Sequence, residues 1–120
     1  MDIGIQMVWE VLEDKLEDKL EERENPRRRE LTWNLTRLPK LDATGTNRLF
    51  VSVGGAWQGY FVLKNEVLVS PEDARCPYAL LFDPRSWVEI KPVKAARFRG
   101  FTYDTPRSEN VIPVRPASDG

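Results

Sequence analysis

The sequence predicts an α+β fold that is mostly β: a small antiparallel β-barrel or bent sheet preceded by one amphipathic N-terminal helix. Three observations predict it. Apolar residues recur at helical spacing near the start of the chain, and six or seven short apolar–polar alternations follow. Turn residues, without intervening helices, separate most of these alternations. The length of 120 residues suits one domain with one core.

The helix is predicted to run from residue 5 to the Asn25-Pro26 dipeptide, because the residue before proline is disfavoured in the α region. Its apolar stripe consists of Ile5, Trp9, Leu12, Leu16 and Leu20. Acidic side chains occupy the opposite face. We expect the helix to plug or cap the barrel by burying Trp9, Leu12 and Leu16.

Alternating β-formers predict the strands at residues 31–36, 49–53, 57–63, 67–69, 78–82, 87–90 and 97–103. Gly54-Gly55 predicts a tight turn, since glycine accepts positive φ, and Gly59 predicts a bulge or a close backbone approach. Residues 64–66 predict a hairpin turn, and residues 70–73 predict a short helix start with proline at its first position. We expect one domain over residues 1–104 and a loose proline-rich tail over residues 105–120.

The composition excludes several kinds of chemistry. The chain has no histidine, so the commonest general base and zinc ligand are missing. Its single cysteine, Cys76, cannot form an internal disulfide. No signal-peptide pattern and no apolar run of ~18 residues is present, so we expect a cytoplasmic protein with no membrane partner. No cofactor and no metal site is predicted. With 31% charged residues and nine prolines, the composition favours a thermophilic source.

Charge is distributed unevenly along the chain. Residues 1–25 contain nine acids and three bases, a net charge of −6, whereas residues 26–120 contain fifteen bases and ten acids, a net charge of +5. Along the predicted last strand, Arg97, Arg99, Phe101 and Tyr103 would share one face. Arginine and aromatic rings on one sheet face can hold phosphates and stack bases.

The candidate nucleic-acid-binding residues are therefore Arg37, Trp57, Tyr60, Lys94, Arg97, Arg99 and Tyr103. We expect the basic side chains to contact phosphates, with arginine favoured for its bidentate geometry. The aromatic side chains would stack on bases. In the alternative interpretation the cations are merely solvated, and Phe101 and Tyr103 are covered by the tail or the helix.

Two segments resemble part of a PUA-like barrel of the ASCH type: Arg48-Leu-Phe-Val-Ser-Val-Gly54 and Gln58-Gly-Tyr-Phe-Val-Leu63. The second has the Gly-aromatic-Val form of that family. The run Lys-Leu-Glu-Glu-Arg at residues 19–23 is similar to the family's basic-acidic-Arg strand, although Glu17 and Asp18 replace the expected glycine. The resemblance spans residues 10–103 in outline. It implies a small barrel that binds RNA, modified nucleosides or nucleotides, without the family's catalytic residues.

Three functions follow as hypotheses. The first is a module that binds RNA or a nucleotide-like ligand. The second is a protein-interaction or assembly module that docks its acidic N-terminal helix in a groove. The third is a small hydrolase that uses carboxylates, for which no pairing of acidic residues predicts a mechanism. Salt separates the first two, because phosphate contacts weaken steeply with salt.

Overall fold

The computed structural model describes residues 1–24, 31–42, 44–69 and 75–114, with backbone alone at residues 17–24 and 31. The elements in chain order are β1 (Asp2–Gln6), α1 (Trp9–Glu24), β2 (Leu31–Leu35), β3 (Asn47–Val53), β4 (Ala56–Val69), β5 (Tyr78–Phe82), β6 (Val88–Lys94) and β7 (Phe101–Thr102). Single 3-10 turns lie at Pro84–Ser86 and Ser108–Asn110. The predicted helix start at residues 70–73 lies outside the described residues.

The strands of the described chain form one curled sheet, a half-barrel, in the order β2-β5-β4-β3-β1-β7, with β6 paired to β4 off this path. Within the described residues every strand pair is antiparallel except β1 with β3. The mostly β, α+β class predicted from sequence is confirmed. The concave side is filled by aliphatic and aromatic side chains from β1, β3, β4 and β5.

β1 occupies residues that helical spacing assigns to the start of the helix. Ile5 is fully buried in β1, opposite Val51 of the parallel strand β3. The prediction that Trp9 is buried is wrong, because the helix begins there and its side chain is 53% exposed. Leu12 is buried in the barrel core and Leu16 packs against it, which confirms that α1 covers the half-barrel.

β4 is one long strand, and the hairpin turn predicted at residues 64–66 is wrong. The chain instead continues, and its register with β5 shifts between Leu63 and Val67. Asn65, in the middle of this stretch, has two tertiary hydrogen-bond partners. Its side-chain oxygen accepts a hydrogen bond from Asn47 (2.6 Å), and its amide donates to the Gly45 carbonyl (3.2 Å). The polar side chain of Asn65 is therefore hydrogen-bonded within an extended strand rather than in a turn.

The outer face of β3 and β4 carries a second core that holds β6. A bulge at Gln58 places both Trp57 and Tyr60 on this face, where they pack with Phe50 and Ile90. The close approach predicted at Gly59 is confirmed, since a Cβ there would lie 2.4 Å from the carbonyl oxygen of Val88.

The strand predicted over residues 97–103 is reduced to Phe101–Thr102. Gly100, with φ of 69°, turns the chain immediately before it. Residues 105–114, predicted as part of a loose tail, include a segment that lies along β6: the N–H of Lys91 donates to the Ile112 carbonyl (2.9 Å) and that of Val114 to the Glu89 carbonyl (2.8 Å). Residues 115–120 lie outside the described residues.

We expect Gly4→Ala to destabilise the protein by about 1–3 kcal/mol, because overpacking a well-packed site forces its neighbours to move. An added Cβ would meet the Trp57 ring at 2.2 Å, and Trp57 is buried. Urea denaturation measures the cost. In the Trp57→Phe background the cost should shrink, since the smaller ring lacks the two contacting carbons. Equal costs in both backgrounds would contradict the proposed contact.

We expect Asp42 to stabilise the protein in a pH-dependent way. The Thr44 backbone N–H and hydroxyl, and then the Gly45 N–H, donate to its carboxylate and hold its pKa below the ordinary value of 3.8. A lowered folded-state pKa gives stability that is present above the unfolded pKa and is lost as pH falls through the folded pKa.

Asp42→Asn tests this, because the amide oxygen keeps an acceptor without the charge. The difference in free energy of unfolding between wild type and Asp42→Asn should be constant above about pH 5 and should shrink toward about pH 2–3. A difference that stays constant over the whole range would show that the charge contributes nothing.

Candidate functional site

A pocket of about 770 Å³ lies where β1 leads into α1, beside the turn between β3 and β4. We call it the arginine pocket. It is lined by Gln6, Met7, Val8, Ser52, Gly54, Gly55, Ala95, Ala96, Arg97, Phe98 and Arg99. Its wall therefore combines three chain segments that are far apart in sequence.

The loop over residues 95–99 is held at this pocket by three contacts. The Ala95 N–H donates to the Gly55 carbonyl (2.9 Å), which continues the pairing of β6 with β4. The Phe98 ring stacks on Trp57, with 5.8 Å between centroids and 19° between planes. The Gln6 Nε2 donates to the Phe98 carbonyl (2.9 Å). Backbone and side chain thus fix Phe98, the residue between the two arginines.

The charges around this pocket favour an anionic ligand. Arg97 and Arg99 are exposed, and within the described part of the chain neither has an ion-pair partner. None of the lining residues is Asp or Glu. Lys94, exposed at the end of β6, adds a positive charge beside the loop, while Glu10 in the first turn of α1 is the acid nearest in sequence to the lining residues.

Backbone groups contribute to the same wall. Val8 precedes α1, and its carbonyl accepts from the N–H groups of Val11 and Leu12 (both 3.1 Å). The first N–H groups of a helix lack intrahelical acceptors and carry partial positive charge. Gly54 and Gly55 have φ of 61° and 83°, which confirms the predicted turn, and nothing occupies the space where a Cβ would lie. Guanidinium groups beside open backbone suit a phosphate oxygen.

A second concavity, the edge pocket, lies between the segment after β2 and the segment around β7. It has a volume of about 530 Å³ and is lined by Arg37, Leu38, Lys40, Phe101, Thr102 and Tyr103. The Arg37 guanidinium carbon lies 5.0 Å from the centre of the Phe101 ring. The Lys40 backbone N–H donates to the Tyr103 hydroxyl (2.8 Å). Tyr103 is still 49% exposed.

Two of the predicted stacking residues have structural roles. Trp57 is 3% exposed, since its ring packs against Phe98 and Phe50, so a base cannot stack on it. Tyr60 packs on Phe50 with 5.2 Å between centroids, and the Arg48 guanidinium lies 5.2 Å from the Tyr60 ring. Arg48 in turn makes two hydrogen bonds to the Asp2 carboxylate, at 2.9 and 2.7 Å, and this contact raises its pKa.

The structure divides the remaining candidates between the two pockets. Lys94, Arg97 and Arg99 lie at or beside the arginine pocket, whereas Arg37 and Tyr103 line the edge pocket. The prediction that residues 97–103 present a single strand face is wrong. The positive φ of Gly100 interrupts the strand, and the stacking of Phe98 on Trp57 fixes the loop before it.

Sequence reasoning missed part of the arginine pocket. Gln6 was assigned to a helix rather than to the end of a strand, and no local signal marks it as a pocket residue. The helical spacing predicts a buried Trp9, but Trp9 is 53% exposed and Val8 before it is 63% exposed. Trp9 follows Val8 in sequence and is the exposed indole nearest along the chain to the pocket lining.

The described residues contain no group of three His, Cys, Asp or Glu side chains close enough to hold a metal ion. In that same part of the chain no helix has the length and apolarity needed to cross a membrane. The lining residues of the arginine pocket include one hydroxyl side chain, that of Ser52, which is 3% exposed.

We expect the exposed Trp9 to dominate collisional quenching of the intrinsic fluorescence. Trp9→Phe should lower the fraction of emission that acrylamide quenches, whereas Trp57→Phe should not, because Trp57 is buried. Stern–Volmer titrations of the two variants, with circular dichroism to verify folding, make the comparison. An unchanged quenchable fraction in Trp9→Phe would contradict the exposed position.

The segments that carry the resemblance to a PUA-like barrel lie in the β3–β4 hairpin, whereas residues 19–23 lie in α1 rather than in a strand. Compared with models of protein families, with curated proteins and with solved structures, the chain shows no significant match.

Proposed function

We propose that this protein is a PUA-like binding module for RNA or a nucleotide-like ligand, and that phosphate groups bind in the arginine pocket. One observation carries the proposal. Arg97 and Arg99 are exposed at the rim of one pocket, have no ion-pair partner within the described residues, and flank a side chain fixed by stacking and a hydrogen bond. An unpaired guanidinium pair on a fixed loop supports anion recognition.

Phosphate is favoured over a carboxylate ligand of a protein partner. Guanidinium forms bidentate, charge-assisted hydrogen bonds with either group. A nucleotide also offers a base, and exposed aromatic side chains lie near the pocket lining in sequence (Trp9) and in the edge pocket (Tyr103). Base stacking on such rings adds affinity that a simple carboxylate does not provide.

The alternative of a module that docks through its N-terminal helix has one supporting observation, the exposure of Val8 and Trp9. Helix-in-groove docking uses several apolar side chains along one face. Leu12 is 1% exposed and Leu16 packs against the core, so the barrel already uses this face. The first turn alone provides a small apolar contact, and the ligand-binding proposal has the larger set of observations.

Fluorescence anisotropy with a labelled single-stranded RNA, a duplex and a DNA control tests the proposal at low and moderate salt. We expect saturable binding that weakens with salt, because counterions compete for phosphate contacts. Arg97→Gln/Arg99→Gln should weaken binding at least about tenfold, since each lost charge-assisted bond is worth about 1.5–3 kcal/mol.

The matched control is Lys91→Gln/Arg107→Gln, which removes the same charge from exposed positions outside both pockets. It should bind nearly as wild type does. Equal losses in the two variants would mean that net charge rather than the pocket attracts the RNA. An absence of binding at low salt would reject the proposed function.

A further inference from the structure

The arginine pocket and the edge pocket are bordered by the same short segment of chain, residues 97–103. Arg97, Phe98 and Arg99 line the arginine pocket, and Phe101 and Tyr103 line the edge pocket. A third concavity of about 260 Å³ lies between these two stretches of sequence, bordered by Phe98 and Gly100. We call it the linking pocket. Three concavities therefore follow one another along seven consecutive residues.

The linking pocket is continuous with the arginine pocket in its lining, because Gln6 and Phe98 belong to both. Its opposite wall comes from β2 and the residue after it, with Trp33, Asn34 and Thr36. At Gly100 nothing lies within 4 Å of the position a Cβ would take, so the chain leaves open space there. A ligand can pass along this surface without crossing a side chain of residue 100.

The two ends of this surface differ in chemistry. The arginine pocket has two unpaired guanidinium groups and no large exposed ring among its lining residues. The edge pocket has the exposed ring of Tyr103 in edge contact with Phe101 (5.5 Å between centroids) and the Arg37 guanidinium stacked over Phe101. The first end suits a phosphate, whereas the second suits a base with a neighbouring phosphate.

None of the residues that line the three concavities is acidic. Asp104, directly after Tyr103, is the acid nearest in sequence to the edge pocket, and its N–H donates to the Thr102 hydroxyl (3.0 Å). The surface from Arg97 to Tyr103 is thus a stretch of cations, rings and amides. That composition is what a polyanion with unstacked bases requires.

We infer that the ligand of this protein is an extended single-stranded nucleic acid rather than a mononucleotide, with phosphates at Arg97 and Arg99 and a base on Tyr103. The inference rests on the proposed function and specifies its ligand. Seven consecutive residues span at most about 25 Å, a path on the order of four nucleotides long, which is within the range that small barrels hold. A duplex keeps its bases stacked and cannot offer one to Tyr103.

The test is a length series: uridine monophosphate and oligouridylates of two, four and six nucleotides, titrated calorimetrically into the full chain. Affinity should rise up to about four nucleotides and then level off, because longer strands extend beyond the edge pocket. Tyr103→Ala should weaken binding of the four-nucleotide strand about fivefold to a hundredfold, a larger factor than for the monophosphate. Tyr103→Phe keeps the ring and should retain most of the affinity.

Arg37→Gln should lower the slope of log K against log salt by about 0.7 for the four-nucleotide strand, with a smaller change for the monophosphate. If the monophosphate binds as tightly as the longer strands, or if Tyr103→Ala binds them normally, the extended path is rejected while the phosphate site stands. If no member of the series binds, the proposed function itself fails.

Discussion

The structure depends on β4, a strand of 14 residues that hydrogen-bonds to three neighbours. Its first half lies between β3 and β6, and its second half pairs with β5. The bulge at Gln58 changes which face the following side chains occupy, whereas Phe61, Leu63 and Val67 stay in one core across the register shift with β5. β4 therefore joins β3, β5 and β6 into one sheet.

The outer face explains how the loop over residues 95–99 is held in place. Phe50, Trp57, Ile90 and Ala95 are buried on the side of the sheet that an ordinary half-barrel would leave in water. Burying apolar surface on both faces stabilises β6 and the loop that follows it by the same hydrophobic effect that fills the barrel. Phe98 belongs to this second core, so the arginines on either side of it take their position from apolar packing.

Two of the described basic side chains, Arg48 and Lys15, have defined partners in the structure. Arg48 pairs with Asp2, and Lys15 donates to the Thr32 carbonyl (3.2 Å) above the Trp33 and Phe82 rings. Between the described acids of α1 and the two arginines of the pocket, no ion pair is present in the described residues. The described acids of α1 therefore leave Arg97 and Arg99 without an ion pair, and no carboxylate of the described residues occupies the position proposed for a phosphate.

The sequence by itself determined the local elements. The alternation of apolar and polar residues predicted β2 and β5 correctly. The glycines predicted the β3–β4 turn at Gly54-Gly55 and the close backbone approach at Gly59. These features depend on a few adjacent residues, and local patterns record them. The basic and aromatic composition also indicated a nucleic-acid ligand as a hypothesis.

Only the tertiary structure decided which candidates lie together. Ile5 fits helical and strand periodicity equally, and its place opposite Val51 in a parallel pair made it a strand residue. Trp57 is an aromatic residue that could stack on a base, but Phe98 and Gly4 cover it, whereas Tyr103 accepts a hydrogen bond from the Lys40 N–H and is still 49% exposed. Each outcome depends on a partner distant in sequence, and local periodicity carries no information about such partners.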